Sequence, residues 1–430
     1  MVPHLTTALN GPLLELEQRI LEANTAIERW FRLRWQAQEP PFYCSVDLRN
    51  SGFKLAPVDT NLFPGGFNNL SAAFMPLAVQ AATAAIEKIC PDAKNLLLVP
   101  ENHTRNKWYL ENVATLAAIL GQTGLEVRIG SLNPEIDAPT ELETASGRKL
   151  RLEPLKRTEG SGGARLGLEG FDPCAILVNN DLSAGIPDIL RGLDRQVLLP
   201  PLHAGWALRR KSAHFAAYDE VAAQFAQLLQ IDPWLLNPYY ARCGEIDFQA
   251  RAGEECLASN VSMLLEKIRV KYLEYGIKDT PYVAVKADAG TYGMGVMMVR
   301  DAAEVRDLNR KQRNKMAVVK EGLAVHDVII QEGVHTIERI EDKAAEPVVY
   351  MLGHYVIGGF YRVHGARASD ENLNAPGMHF VPLAFEASCT VPDPHASCDA
   401  PPNRFYAYGV VARLALAAAA LELEKTAPGA

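Results

Sequence analysis

The sequence predicts an α/β protein with some α+β elements, in which an open α/β region precedes a nucleotide-binding region. Three observations carry that expectation. Buried apolar runs that end in polar clusters, at 95–106 and 175–181, alternate with helical patterns, and open α/β sheets place ligands at the carboxyl ends of such strands. At 282–299 a short apolar run, a glycine-rich loop and a second apolar run read as two strands joined by a loop. The 430 residues, 48% hydrophobic and 22% charged, suffice for two or three domains of ordinary globular composition.

A formal charge of −8 argues against nucleic acid or an anionic membrane surface as the main partner and favours a cytoplasmic enzyme acting on small molecules. The charged stretch Leu13 to Arg19 replaces the apolar core that a secretory leader needs. No apolar run approaches the roughly 20 residues of a membrane span, the alanine-rich 414–421 being too short. Seven cysteines without CxxC spacing indicate a reducing compartment and no metal cluster, with Cys389 and Cys398, the closest pair, expected as free thiols.

In chain order, 12–35 reads as an amphipathic helix that packs on the outside of the fold or in a subunit contact of a homo-oligomer. Strand-like pieces follow at 42–69 with an unusual density of Asp, Asn, Arg and Lys, then a helix at 71–89 and the buried strand 95–100. Helix and strand recur over 113–129, whereas the charged, glycine-rich 133–169 reads as a surface excursion. The run Arg209-Arg210-Lys211 opens a further helix and reads as a solvated face. A long helix at 255–275 places the main boundary near residue 255, giving an N-terminal helix (1–40), a substrate-binding region (41–255) and a nucleotide-binding region (256–430).

The loop at 290–295 has the spacing G-x-x-G-x-G and leads into a strand, so it is neither a dinucleotide fingerprint nor a Walker A loop. The H-R-D and D-F-G segments of kinases are missing as well, which leaves the lid of ATP-grasp ligases and an ATP-grasp-like architecture. Gly290, Gly293 and Gly295, with Thr291 and Tyr292 between them, let backbone N–H groups approach phosphate oxygens, and Lys286 adds a point charge. Downstream, the strand 327–334 ends in Gln331-Glu332-Gly333-Val334, whose backbone can read an adenine edge while the Glu332 carboxylate takes ribose hydroxyls. A hairpin turning at Gly353 ends on Arg362, suited to a transferring phosphoryl group. Glu371, Asn372 and Asn374 offer hard oxygens for Mg²⁺.

The segments 47–69, 100–106 and 286–295 resemble the proteobacterial glutamate-cysteine ligases of the ATP-grasp type, over a span from about residue 41 to the C-terminus. The resemblance implies ATP-dependent joining of the γ-carboxyl of glutamate to the amine of cysteine, the first step of glutathione synthesis, with ATP and Mg²⁺ as cofactors and γ-glutamyl phosphate as intermediate. An earlier phosphate lysine is then expected upstream of the lid, at Lys271 or Lys267. The amino-acid substrates need a cation and acceptors, for which Asp47, Arg49, Lys54, Asp59, Asn61, Asn68, His103 and Arg105 are candidates. Two other readings remain open: an ATP-grasp ligase for another amino acid or peptide, and a nucleotide-binding regulatory protein without catalysis.

Overall fold

The computed structural model describes residues 12–160, 163–193, 195–290, 295–318, 324–382 and 404–429. Thr291, Tyr292 and Gly293, and the thiols Cys389 and Cys398, lie outside the described residues. The expected first helix is two, Pro12–Glu22 and Asn24–Ala37, meeting at Ala23. Its apolar stripe, Leu13, Leu16, Ile20, Ile27 and Phe31, is buried within this chain. Much of it packs on the C-terminal helix Arg404–Thr426, where the Arg413 guanidinium lies 4.2 Å over the Phe31 ring and donates to both carboxylate oxygens of Glu28.

That C-terminal helix is longer than its alanine-rich run suggests. Phe405–Thr426 is long and apolar enough to cross a membrane, yet 89% of the apolar window is buried inside the protein, as for a core helix. Its alanines, buried from Ala415 to Ala420, let neighbouring elements approach closely, and it packs on the helix Lys211–Leu229 and on Leu55–Asn61.

An antiparallel sheet runs in the order Met378–Pro382, Tyr355–His364, Lys343–Leu352, Tyr43–Asn50, Leu55–Asn61, with Arg339–Ile340 beside Lys343–Leu352. It therefore takes strands from both sides of the boundary drawn near residue 255. The hairpin turn falls at Gly353, as the pattern predicts. A second sheet, ordered Val197–Leu199, Ala175–Asn179, Asn95–Pro100, Glu126–Ser131, Lys149–Pro154, Thr140–Glu143, is parallel except at its last strand. The supposed excursion at 133–169 thus contributes two strands to this sheet and a separate hairpin, Lys156–Gly160 with Gly163–Gly167. Alternation of buried Leu150 and Leu152 with charged neighbours gives Lys149–Pro154 its strand period, and the high charge hides that period.

The third sheet is antiparallel, ordered Tyr240–Cys243, Val328–Glu332, Val283–Ala287, Val296–Val299. The glycine-rich segment is therefore a strand–loop–strand unit, with positive φ at Gly290 (93°) and Gly295 (60°) where the chain leaves and re-enters the pair. Just beyond its first strand, buried Asp288 accepts bonds from Ser212 N and Ser212 Oγ, both at 2.7 Å, and so caps the helix Lys211–Leu229 from a distance. Asp288→Ala is expected to cost about 1–2 kcal/mol of stability, the range for loss of a helix cap, measurable as a lowered denaturation midpoint.

Candidate active site

The first of two adjoining clefts opens along the glycine-rich strand pair. Lys286, Gly290, Gln331, Glu332 and Val334 line it, with Ala284, Ala287, Val296 and Met298 supplying apolar wall. Lys286 points its ammonium at Val58 O (2.8 Å) and Gln331 Oε1 (2.6 Å). Burial lowers its pKa to about 8, Asp59 pulling up and Lys211 and Arg49 pushing further down. A lysine so placed gains charge stabilisation from an incoming anion.

The strand end at 331–334 is built differently from the sequence expectation. Glu332 is 2% exposed, and its carboxylate is held by Lys54 Nζ (2.7 Å), Trp234 Nε1 (3.0 Å) and Tyr239 N (2.9 Å). Its side chain is thus occupied by protein groups rather than presented to ribose hydroxyls, because the buried Lys54 ammonium needs a counter-charge. Lys54 also stands 4.3 Å above the Trp234 ring, and its burial lowers its pKa to about 8. Lys54 is in the lining of neither cleft, so its expected contact with substrate is replaced by this pair. Gly333 follows because the Tyr282 ring lies on it: an added Cβ would sit 2.2 Å from that ring.

The second cleft lies between the antiparallel and parallel sheets and is rich in amides. Asn61, Asn68, Asn69, Asn106, Asn112 and Asn179 line it. Asn61 holds its own turn by accepting from Phe63 N (3.0 Å), and Asn68 Nδ2 donates to Asn69 Oδ1 (3.3 Å). The two clefts share Asp47, Asp59, Arg362 and Asn374. A group bound at that junction is within reach of ligands on both sides.

At the junction Arg362 Nη1 donates to Asp47 Oδ2 (2.8 Å) and Glu346 Oε1 (2.6 Å). Arg362 Nε is buried without a protein acceptor. Glu346 also accepts from Arg49 Nε (2.8 Å), and the two guanidinium groups overcome burial to hold its carboxyl below the usual range. Asp47 goes the other way, burial pushing its carboxyl up against the pull of Arg362. Asp59 pairs with Lys211 Nζ at 2.8 Å; burial opposes its ionisation, but Lys211 and Lys286 bring its pKa to about 2.

Arg49 lines the first cleft yet is committed to the protein, donating also to Tyr282 Oη, Val334 O, Ser369 O and Glu371 O. Its role in this geometry is to fasten the 369–371 segment over the sheet, since its hydrogens are already directed at fixed acceptors. Of the expected metal ligands, Asn372 and Asn374 line the first cleft. The Glu371 carboxylate instead accepts from Arg367 Nη1 and Ala368 N, both at 2.8 Å, and is not in either lining. Lys271 is likewise outside, bonded to Asp232 (2.6 Å) and Glu274 (2.8 Å), and Lys267 stands 3.9 Å over the Tyr239 ring. His103, paired with Glu101 at 2.7 Å, lies in a separate polar pocket at the carboxyl ends of the parallel strands, and Arg105 is exposed.

Sequence reasoning missed Glu346, Lys211 and the pair Arg209–Glu422. Glu346 had a signal: a single carboxylate inside the apolar strand Lys343–Leu352 demands a buried partner. Arg209 and Lys211 were expected as a solvated face, but both are buried, Arg209 forking onto Glu422 at 2.8 and 2.9 Å. A charge run alone carries no record of what folds over it.

The glutamate-cysteine ligase (GshA) family model matches residues 17–423. A crystal structure from Methylobacillus flagellatus KT, whose protein carries a provisional designation as a gamma-glutamylcysteine synthetase, is 66% identical, covers 99% of each chain and superposes with a TM-score of 0.91. A glutathione synthetase-like effector from Globodera pallida is 9% identical over 85% of this chain and 83% of its own, with a TM-score of 0.39. The D-alanyl-alanine synthetase A of Vibrio cholerae O1 biovar eltor str. N16961 is 11% identical over 75% and 81%, with a TM-score of 0.33. No curated protein matches the chain.

Proposed function

The chain belongs to the glutamate-cysteine ligase family, and from that premise we propose that it joins the γ-carboxyl of L-glutamate to the amine of L-cysteine with ATP and Mg²⁺, in the manner of an ATP-grasp ligase. The observation that carries this reading is the junction: a lysine-bearing cleft along a glycine-rich strand pair meets an amide-rich cleft at Asp47, Asp59, Arg362 and Asn374.

A carboxylate does not acylate an amine at neutral pH, so the γ-carboxylate first takes the terminal phosphoryl group of ATP and the resulting acyl phosphate is attacked by the cysteine amine. Catalysis is then positioning and charge neutralisation. Lys286 and the backbone at Gly290 hold phosphate oxygens, while Gln331 to Val334 border the base. Arg362, whose Nε has no protein acceptor, faces the charge that develops in transfer. The amides of the second cleft orient the amino acids.

Mg²⁺ fits the junction: Asp47, Asp59 and Asn374 are hard oxygen donors, and the upward-shifted Asp47 carboxyl would gain from a dication. Among the described residues no group of three or more His, Cys, Asp or Glu is arranged to hold a metal. When bound, the ion neutralises phosphate charge. A cytoplasmic location belongs to the same proposal.

The test is ADP release from Mg-ATP with glutamate alone, cysteine alone and both, with aspartate, glycine and γ-glutamylcysteine as controls. Release that needs glutamate and cysteine together is expected; release with another pair moves the substrate assignment, and none with any pair removes the ligase chemistry. Because burial lowers the Lys286 pKa to about 8, kcat/KM for ATP is expected to fall as pH rises past about 8, where the ammonium loses its charge. Lys286→Arg, which keeps its charge, should move that limb upward; an unmoved limb would assign it to another group.

A further inference from the structure

Cys243 and Cys256 are 13 residues apart in sequence, and their sulfurs are 3.2 Å apart. Cys243 closes the edge strand Tyr240–Cys243 and is 3% exposed, whereas Cys256 lies in the first turn of the helix Glu254–Glu274 and is exposed. Both are free thiols, and Cys243 directs its S–H at Cys256 Sγ. Asn260 Nδ2 lies 3.5 Å from Cys256 Sγ on the same helix. A disulfide needs the sulfurs at about 2.0 Å, so the gap to close is about an ångström.

We propose that Cys243 and Cys256 form a reversible oxidative modification site, in which a small disulfide attacks through the exposed thiol and the buried one resolves it. The order follows from access: a low-molecular-weight disulfide reaches Cys256 and not Cys243. In the first step the Cys256 thiolate attacks RSSR, its sulfur bonds to one RS group, and the other leaves as RS⁻. In the second, Cys243 loses its proton and displaces the bound RS group as RS⁻, forming the Cys243–Cys256 bond. Two protein thiols are oxidised and one RSSR is reduced to two RSH. Burial pushes the Cys243 thiol up to about 12, with Cys256 adding to the shift, which agrees with the exposed Cys256 rather than Cys243 making the first attack.

The link would fasten the strand that borders Val328–Glu332, and hence Gln331 beside Lys286, to the helix behind it. A second close pair, Cys90 and Cys174 at 3.0 Å, lies away from this sheet with both thiols half-buried. The proposal stands apart from the ligase reading, since it requires no turnover.

The full-length protein is incubated with oxidised glutathione, alkylated, digested without reduction and mapped by mass spectrometry. The expected result is a peptide pair joined through Cys243 and Cys256 and separated by dithiothreitol. In Cys243→Ser the glutathione adduct should persist on Cys256. A wild-type protein whose Cys256 stays alkylatable, retains the adduct, or joins a different cysteine would overturn the proposal.

Discussion

Replacing Arg362 by lysine is expected to lower kcat by about 10²–10³-fold, the range for loss of one preorganised charge-stabilising donor set at a transition state. The ammonium of lysine can still face Asp47 and Glu346, so the fold should survive. What lysine lacks is the planar fork that offers parallel donors to two phosphoryl oxygens. Arg362→Ala should do more, because it leaves buried Glu346 and part-buried Asp47 with Arg49 as the remaining guanidinium. Breaking such a buried pair costs about 3–5 kcal/mol. Steady-state ADP release together with thermal unfolding separates the two effects. A lysine variant with unchanged kcat would remove Arg362 from phosphoryl transfer and leave it a structural partner of Glu346.

The second large effect is expected at Glu332, and it falls on stability rather than on nucleotide affinity. Glu332→Ala leaves the Lys54 ammonium, itself fully buried, without its counter-charge and Trp234 Nε1 without its acceptor. A loss of about 3–5 kcal/mol follows, read as a drop in the denaturation midpoint. Glu332→Gln sharpens the point, since the amide oxygen can still accept from Trp234 or Tyr239 while the charge is gone.

The folded-state pKa of Lys54, about 8, lies below its ordinary 10.5. In this window the unfolded chain binds more protons, so the lysine's contribution to stability rises with pH. In the Gln variant Lys54 must give up its proton to fold at lower pH, so the deficit against wild type should shrink as pH climbs toward about 8. A deficit independent of pH would mean that Lys54 keeps its charge without Glu332. A variant of normal stability with weakened ATP binding would restore the carboxylate to the ribose.

Much of the strand pattern was legible because it depends on local period. The glycine-rich pair, the hairpin at Gly353 and the polar-ended parallel strands are set by runs of apolar residues and by turns that only glycine makes easily. The strands at 140–154 were not, since a charged strand at or next to a sheet edge resembles a loop when its pairing partner is unknown. Within the candidate site, Lys286, Arg362, Asn372 and Asn374 could be picked out in one dimension as residues of suitable chemistry beside strand ends. Which carboxylate answers which cation could not.

Fold class, family and the short segments that border the clefts can be read in one dimension, because they rest on residue type and near-neighbour spacing. Folding in three dimensions is what sets Glu332 against Lys54, ties Glu371 to Arg367, and buries Arg209 and Lys211 instead of leaving them solvated. The reason is electrostatic. A buried charge costs several kcal/mol unless it is paired, so a charged side chain takes its role from its partner. The partners here come from far along the chain: Arg362 with Asp47, Arg209 with Glu422, Lys54 with Glu332.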